Sequence, residues 1–171
     1  MRYTYMITAA LALASLASCQ QSNKEEAATN KAATTEIASS DELQKKFTEQ
    51  TRNKEVVLAF YQQMFGDKDV TAVDTYILPD YIQHNPYVAD GAEPFKQAAK
   101  GWFEGQPKTK IDVQRIAADG DLVFIHVRSK SATGKDVSVI DIFRLENGKI
   151  AEHWDAIQEV PEQSANAHPM F

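Results

Sequence analysis

The second half of the chain contains four strand-like stretches, at residues 110–117, 122–129, 136–145 and 149–160, and they limit the possible folds more than any other feature. Residues 110–117 alternate between apolar and polar side chains, whereas residues 122–129 are nearly all apolar or β-branched. Turn signals separate the four stretches, at Asp119-Gly120-Asp121, Thr133-Gly134-Lys135 and Asn147-Gly148. A period of two is typical of half-buried strands, and Asn-Gly between two such runs indicates a tight hairpin. The pattern therefore predicts a meander of about four strands.

The residues before this meander have helical spacing instead. Val56, Phe60 and Met64 recur at intervals of four and predict a strong amphipathic helix. Residues 70–77 and 92–104 predict two more helices, and residues 81–86 an extended or turning segment. Helices followed by a run of antiparallel strands indicate an α+β fold. The predicted folded unit, residues 53–171, has about 120 residues, which suits one core and one domain.

The N-terminus has the pattern of a targeting signal. Residues 6–17 form an apolar run that is too short for a membrane span of about 20 residues but typical of a signal-peptide core. The run ends at Leu16-Ala17-Ser18-Cys19, which resembles a bacterial lipoprotein signal, with residues 1–18 removed and Cys19 lipidated. The alternative is an ordinary signal peptide with an incidental cysteine. Gln20 is not the aspartate that retains enterobacterial lipoproteins at the inner membrane, so we expect a lipid anchor in the outer membrane, facing the periplasm.

The segment after the cysteine has the composition of a tether. Residues 20–40 contain no aromatic residue and only Ile37 as a large apolar one, so they cannot bury enough surface to offset the entropy of ordering. Residues 41–52 could be helical, with Leu43 and Phe47 four positions apart. We therefore interpret residues 19–52 as a flexible tether that could become helical at its end.

Charge and motif content argue against several classes of function. The net charge of −6 disfavours nucleic-acid binding, because a negative surface repels phosphate. A single cysteine cannot form an internal disulfide framework. The chain has no glycine-rich phosphate loop and no Gly-x-Ser-x-Gly nucleophile motif. His84, His126, Asp141 and His153 lack the close spacing of a zinc motif, so we expect no metal and no cofactor.

Ionisable residues within the apolar strands are the candidates for chemistry. Asp141 lies between Ile140 and Ile142, and a period of two places Asp155 on the same face as His153. A buried carboxylate must be paired, hydrogen-bonded or neutralised by a raised pKa. Carboxylates in a partly dry pocket are suited to general acid–base work. The pattern therefore favours a pocket over a filled core.

Four segments carry a resemblance to a known family. They are Val56-Val57-Leu58-Ala59-Phe60-Tyr61, Tyr81-Ile82-Gln83-His84-Asn85-Pro86, Asp141-Ile142-Phe143-Arg144-Leu145 and Gly148-Lys149-Ile150-Ala151-Glu152-His153-Trp154-Asp155. With them the chain resembles the SnoaL-like polyketide-cyclase group of the nuclear transport factor 2-like superfamily. The resemblance implies a cone of about three helices on a strongly curved, mainly antiparallel sheet that encloses a pocket. Many members are homodimers through the outer face of the sheet.

The resemblance also implies roles for individual residues. In the cyclases of the group an aspartate on the last strand is the general acid/base of an intramolecular aldol condensation, without a metal, and its position matches Asp155. Asp141 matches a second polar pocket position, and His84 matches a pocket-lining histidine. The side chains expected to bind the ligand are Tyr61, Trp102, His126, Phe143 and Trp154.

Each of these residues also has a structural interpretation. Asp155 could pair with Arg144 or Lys149, and Asp141 with His126 or Arg144. His84 could cap a turn, and His126 could be a satisfied core histidine. His153 could lie on an exposed face or at a dimer contact. Trp154, Trp102 and Tyr61 could serve simple packing.

Three functions fit the sequence. The first is a cofactor-free cyclase, isomerase or hydratase, anchored in the bacterial cell envelope, that acts on a small apolar, carbonyl-bearing molecule. The second is a tethered module that binds a small hydrophobic ligand without turnover. The third is a structural domain with a vestigial pocket. Two aspartates within apolar strands favour the first two, because burying carboxylates costs free energy.

Overall fold

The computed structural model describes residues 39–131 and 133–171. The predicted signal peptide, Cys19 and most of the tether lie outside these residues. The chain divides into two units, Met1–Lys45 and Lys46–Phe171. Of the first unit, residues 39–45 are described, and they are helical and exposed. Among the described helices, none combines the length and apolarity needed to cross a membrane.

Two of the three helices precede the first strand of the sheet, and the third lies between the first and second strands in the sequence. Helix α1 covers residues 39–61 and passes into a π-helical turn, Gln62–Gly66. Helix α2 is the short Ala72–Tyr76, and helix α3 is Ala92–Phe103. The sequence predicted separate helices at 41–52 and around 56–64. The structure joins them, because residues 53–55 contain no glycine or proline that would end a helix.

The sheet has five strands, β1 Ile77–Gln83, β2 Asp112–Asp119, β3 Leu122–Lys130, β4 Asp136–Glu146 and β5 Lys149–Glu159. Their order across the sheet is β1-β5-β4-β3-β2. The four strands of the predicted meander pair antiparallel, and β1 joins β5 in parallel. The expected α+β class with helices packed on a curved, mainly antiparallel sheet is confirmed.

Strand β1 was not predicted from the sequence. Part of it was assigned to a helix and the rest to an extended or turning segment, because Pro79 interrupts the pattern. The structure places β1 at the edge of the sheet, where a missing N–H group is tolerated. The pairing of β1 with β5 also shifts register between Ile77 and Ile82, so Pro79 lies within an irregularity.

The hairpin between β4 and β5 follows the sequence signal. Asn147 and Gly148 have φ values of 52° and 77°, which are the left-handed conformations that a type I′ turn requires at both central residues. This turn sets the register of the two longest strands. It places Asp141 directly opposite Asp155 and Phe143 opposite His153.

The core lies between the helices and the inner face of the sheet. Val57, Phe60 and Met64 of α1 and its π-helical turn are at most 1% exposed, and they belong to one apolar cluster with Val123 and Ile125 of β3. Irregular register in three of the four strand pairs accompanies the curvature of the sheet. The helices and the curved sheet therefore leave room for a cavity next to the core.

Candidate functional site

A cavity of about 490 Å³ lies against the inner face of the sheet. Its walls are mainly apolar, are rich in aromatic side chains and come from both helices and strands. They include Phe60, Phe65, Tyr81, Tyr87, Phe95 and Trp102. A volume of this size is typical of sites for small organic molecules. The cavity is therefore large enough and apolar enough for a small hydrophobic guest.

Asp141 is the most buried polar group of this cavity. Its residue is 5% exposed, and each carboxylate oxygen lies within hydrogen-bonding distance of a side chain. The hydroxyl of Tyr61 donates to Oδ2 at 2.7 Å. Nε2 of His153 lies 3.1 Å from Oδ1. The ring of His153 stacks on Phe143, with centroids 4.8 Å apart, so packing fixes its orientation.

The other nitrogen of the His153 ring faces an amide. Its Nδ1 lies 2.9 Å from Oε1 of Gln83. The backbone N–H of Asn85 donates to the same oxygen at 3.0 Å, and the amide nitrogen of Gln83 donates to the hydroxyl of Tyr81 at 3.1 Å. Because a backbone N–H can only donate, the atom of Gln83 that faces His153 is the amide oxygen.

Asp155 lies beside this group and is held by one side chain. The amide nitrogen of Asn85 donates to its Oδ2 at 2.6 Å. The amide oxygen of Asn85 in turn accepts from the backbone N–H of Tyr87 at 2.9 Å, which fixes the amide. Within residues 39–131 and 133–171, no hydrogen bond to Oδ1 of Asp155 is formed, so this oxygen is available to a guest.

The two carboxylates are close enough to influence each other. One oxygen of Asp141, one oxygen of Asp155 and one nitrogen of His153 all lie within 4.8 Å of one another. Two negative charges at about 5 Å repel by about 3 kcal/mol at an effective dielectric constant of about 20. In the described part of the chain this is the only such grouping that could approach a metal ion. A cation would have to displace the contact between Asp141 and His153.

Burial and the two aspartates keep the neighbouring tyrosines neutral. Burial, followed by the charge of Asp141 and the hydrogen bond to it, raises the pKa of Tyr61 well above its usual value. Burial, followed by the charges of Asp141 and Asp155, also raises the pKa of Tyr81. Tyr61 is therefore a permanent hydrogen-bond donor to Asp141 at neutral pH.

The raised tyrosine pKa values predict a loss of stability at high pH. Above about pH 10 the unfolded chain ionises its tyrosines and the folded chain does not, so the free energy of unfolding falls by about 1.4 kcal/mol per pH unit for each such tyrosine. Replacing Tyr61 by Phe should reduce this slope while Tyr81 maintains the rest. Urea unfolding from about pH 8 to about pH 11 measures it. An unchanged slope in Tyr61→Phe would contradict the assignment.

The structure brings five of the predicted site residues to the cavity. They are Asp155, Asp141, Tyr61, Phe143 and Trp102. The residues that the sequence offered as structural partners for the aspartates bind elsewhere. Lys149 bonds to the backbone oxygen of Asp74, and His126 to Ser138. Arg144 binds Glu152 at 2.7 Å and Glu146 at 3.5 Å. Its hydrogen bond, followed by that of His84, lowers the pKa of Glu152.

Three other predicted site residues have their side chains on the outer face of the sheet. His84 stacks on Trp154, with ring centroids 4.5 Å apart, and its Nε2 lies 2.8 Å from Glu152. His126 contacts Arg115 and Ser138, at 3.1 and 2.8 Å. None of these three side chains belongs to the cavity lining. The reason is the strand period of two, which turns Trp154 away from His153 and Asp155, and His84 away from the inward-facing Gln83 and Asn85.

Three further residues of the site had no assigned pocket role from the sequence. An exposed or dimer-contact position was left open for His153, and Gln83 and Asn85 were assigned to an extended or turning segment. The spacing of these residues in the sequence could have indicated their shared orientation. Gln83-x-Asn85 and His153-x-Asp155 both place two polar residues on one face of an extended segment. The parallel pairing of Gln83 with His153 brings the two faces together.

Residues 57–153 of the chain match the model of the SnoaL-like domain family. Solved structures with the same fold include TsrD from Streptomyces laurentii, at 22% identity, 63% coverage of this chain, 88% of that chain and a TM-score of 0.53. A protein named as a SnoaL-like polyketide cyclase from Jannaschia sp. CCS1 is 23% identical, with 63% and 86% coverage and a TM-score of 0.54.

A third similar structure is an epoxide hydrolase of the LEH-like type from M. tuberculosis. It is 19% identical, with coverage of 64% of this chain and 85% of that chain, and a TM-score of 0.54. At these identities the similarity concerns the fold. No curated protein matches the sequence.

Proposed function

Because the chain belongs to the SnoaL-like domain family, we propose that its cavity performs cofactor-free acid–base chemistry on a small apolar molecule that carries a carbonyl group. The reaction class is an aldol-type cyclisation, an isomerisation or a hydration. The observation that carries the proposal is the position of Asp155 beside the His153–Asp141 pair in an apolar cavity, with one oxygen that no residue in the described part of the chain binds. The fold alone would not carry it, because one fold supports many functions.

These reactions need two groups with different proton affinities. One group removes a proton from the carbon next to the carbonyl, and the other donates to the oxygen on which negative charge develops. Asp155 suits the role of the first group, because it lines the cavity and its Oδ1 has no hydrogen-bond partner in the described chain. The hydrogen-bonded cluster at Asp141 supplies the second. The buried apolar side chains beside Asp141, such as Phe143, lower the local dielectric constant and so strengthen the interactions of this carboxylate.

A binding module without turnover is the second candidate function. Its support is the predominance of apolar side chains in the cavity walls, many of them aromatic, including Trp102 and Tyr87. Such walls bind an apolar guest through the hydrophobic effect whether or not chemistry follows. In this case the polar cluster would recognise a ligand oxygen.

Hydrogen–deuterium exchange separates the two functions. We expect the purified full-length chain, in mild detergent and D₂O, to exchange the α-protons of 1-tetralone at least about 100-fold faster than buffer alone, as general base catalysis commonly does. Loss of the α-proton signals in the ¹H NMR spectrum measures the rate. A binding module would instead be stabilised against heat by the ketone, with no acceleration of exchange, and this result would contradict the enzymatic proposal.

We also propose that the domain works at a membrane and as a homodimer. The support for the anchor is the sequence pattern that ends at Cys19, which predicts a periplasm-facing outer-membrane lipoprotein. The support for the dimer is the outer face of the sheet, where Ile140 is 47% exposed and Trp154 is partly buried. Large apolar side chains on an exposed sheet face are typical of an interaction surface.

A further inference from the structure

The two ring nitrogens of His153 both face oxygen atoms. Nδ1 faces the amide oxygen of Gln83 at 2.9 Å, and Nε2 faces Oδ1 of Asp141 at 3.1 Å. A neutral imidazole has one N–H donor and one bare acceptor nitrogen. Since the amide oxygen of Gln83 can only accept, Nδ1 carries a proton. With no further proton, a bare Nε2 would then face an ionised carboxylate.

Two lone pairs that face each other at this distance repel, so a resting site without a hydrogen between them is disfavoured. We infer that His153 Nε2 and Asp141 Oδ1 share one proton, so that the resting site contains a single protonated pair and a single ionised base, Asp155. The inference deepens the function proposed above and rests on it for the roles of the residues. It gives His153 a role in proton transfer, and it makes Asp155 the base and Asp141 the partner of the proton donor.

The surroundings of the pair support this arrangement. The titratable groups near the ring are Asp141 on β4, Asp155 on β5, Tyr61 on α1 and Tyr81 on β1. Both tyrosines are neutral, and Lys130, which also lines the cavity, pairs with Asp136 at 2.6 Å. Among the described residues, the imidazolium is therefore the cation in contact with the buried Asp141. A buried carboxylate without such balance would be strongly disfavoured. The proton also weakens the repulsion between Asp141 and Asp155.

The shared proton gives a balanced reaction step. Oδ1 of Asp155 takes the proton from the carbon next to the carbonyl, and the electron pair of that C–H bond forms a carbon–carbon double bond. The carbonyl π pair moves to oxygen, which takes the proton from the pair and becomes an enol. His153 is then neutral and Asp141 ionised. The reverse step restores all groups, and deuterium enters the carbon when Asp155 has exchanged its proton with D₂O.

The protonation of His153 can be measured without any substrate. We expect ¹⁵N-labelled full-length protein at about pH 8 to show two protonated ring nitrogens for His153, although a free histidine titrates near 6.5. Long-range ¹H–¹⁵N NMR spectra report both nitrogens, and the signals missing in His153→Gln identify the ring among the four histidines of the chain. In Asp141→Asn the second proton should be lost at the same pH. The exposed Asp119→Asn is the matched control and should keep it.

The outcomes separate this inference from the proposed function. A His153 ring with one protonated nitrogen at about pH 6 to 8 overturns the inference, whether or not the protein turns over ketones. A ring whose spectrum changes when EDTA is added also overturns it, because a cation then takes the place of the proton. Should Asp141→Asn fail to fold, the wild-type spectrum alone decides. A shared proton together with absent exchange would reject the proposed function and leave the proton placement standing.

Turnover tests the role of the pair. If exchange of 1-tetralone occurs, His153→Gln should lower kcat by about 10²- to 10⁴-fold, the usual contribution of one acid or base group. A merely structural role for His153 would leave kcat within a few-fold of the wild type. With such a structural role, His153→Gln would also keep the wild-type pH profile of kcat, because the rate would not depend on the protonated pair. A wild-type-like profile in His153→Gln therefore contradicts the role.

Discussion

Asp155→Asn should lower the rate of α-proton exchange by about 10²- to 10⁴-fold, because it removes the only base of the proposed step. The substitution keeps the shape of the side chain. Its amide oxygen can still accept the 2.6 Å hydrogen bond from Asn85, so the local structure should persist. The amide cannot accept a proton from carbon at neutral pH. The loss should therefore fall on kcat, with binding of the ketone little changed.

The controls for this prediction are available in the same chain. Asp119→Asn makes the same chemical change at an exposed strand end and should leave the exchange rate within a factor of two. Urea unfolding of both variants excludes a loss of folded protein. Exchange at the wild-type rate in a folded Asp155→Asn protein would contradict the assignment of the base. Equal losses in both variants would indicate an indirect effect of charge.

The sheet was the most predictable part of the fold. Strands β2 to β5 are rich in apolar and β-branched residues and are separated by turn signals, and Asn147-Gly148 adopts the type I′ turn that its sequence indicates. Strand β1 was not predictable by the same logic. It is short, contains Pro79 and has its hydrogen-bond partner about 70 residues later in the chain. Local sequence patterns carry no information about such a distant parallel pairing.

The aspartates of the site were predictable for a physical reason that the histidines do not share. A carboxylate within an apolar strand is rare enough to indicate a special environment. The choice between the two faces of β5 is different, because His153, Trp154 and Asp155 are all compatible with either face. Only the register with β4 shows that His153 and Asp155 point inward.

The side chain of His84 illustrates a limit of transfer from a family. The resemblance matched the segment that contains it, and the backbone N–H of His84 does bind the carbonyl oxygen of His153 at 3.0 Å. Its ring nevertheless stacks on Trp154 on the outer face. In an extended segment a matched position fixes the backbone, while the direction of each side chain depends on the parity of the local register. Here the neighbours Gln83 and Asn85 are the residues that reach the cavity.

Phe60→Ala should reduce the free energy of unfolding by about 3 to 5 kcal/mol, the cost typical of removing a buried phenylalanine. Phe60 is 1% exposed and makes edge contacts with three rings, Phe65, Tyr76 and Phe143, at centroid distances of 6.0, 6.1 and 5.8 Å. The neighbouring helix and sheet cannot collapse into the space of a whole ring. Urea unfolding measures the loss.

Phe47 provides the matched control, because it lies on the same helix and is 63% exposed. Phe47→Ala should change the free energy of unfolding by less than about 0.5 kcal/mol. A similar small change for Phe60→Ala would contradict the packing of α1 on the sheet. The variant also links the core to the site, because Phe60 supports Phe143 and Phe143 stacks on His153. A folded Phe60→Ala protein should therefore also exchange ketone protons more slowly, since the ring that holds the shared proton loses the support that orients it.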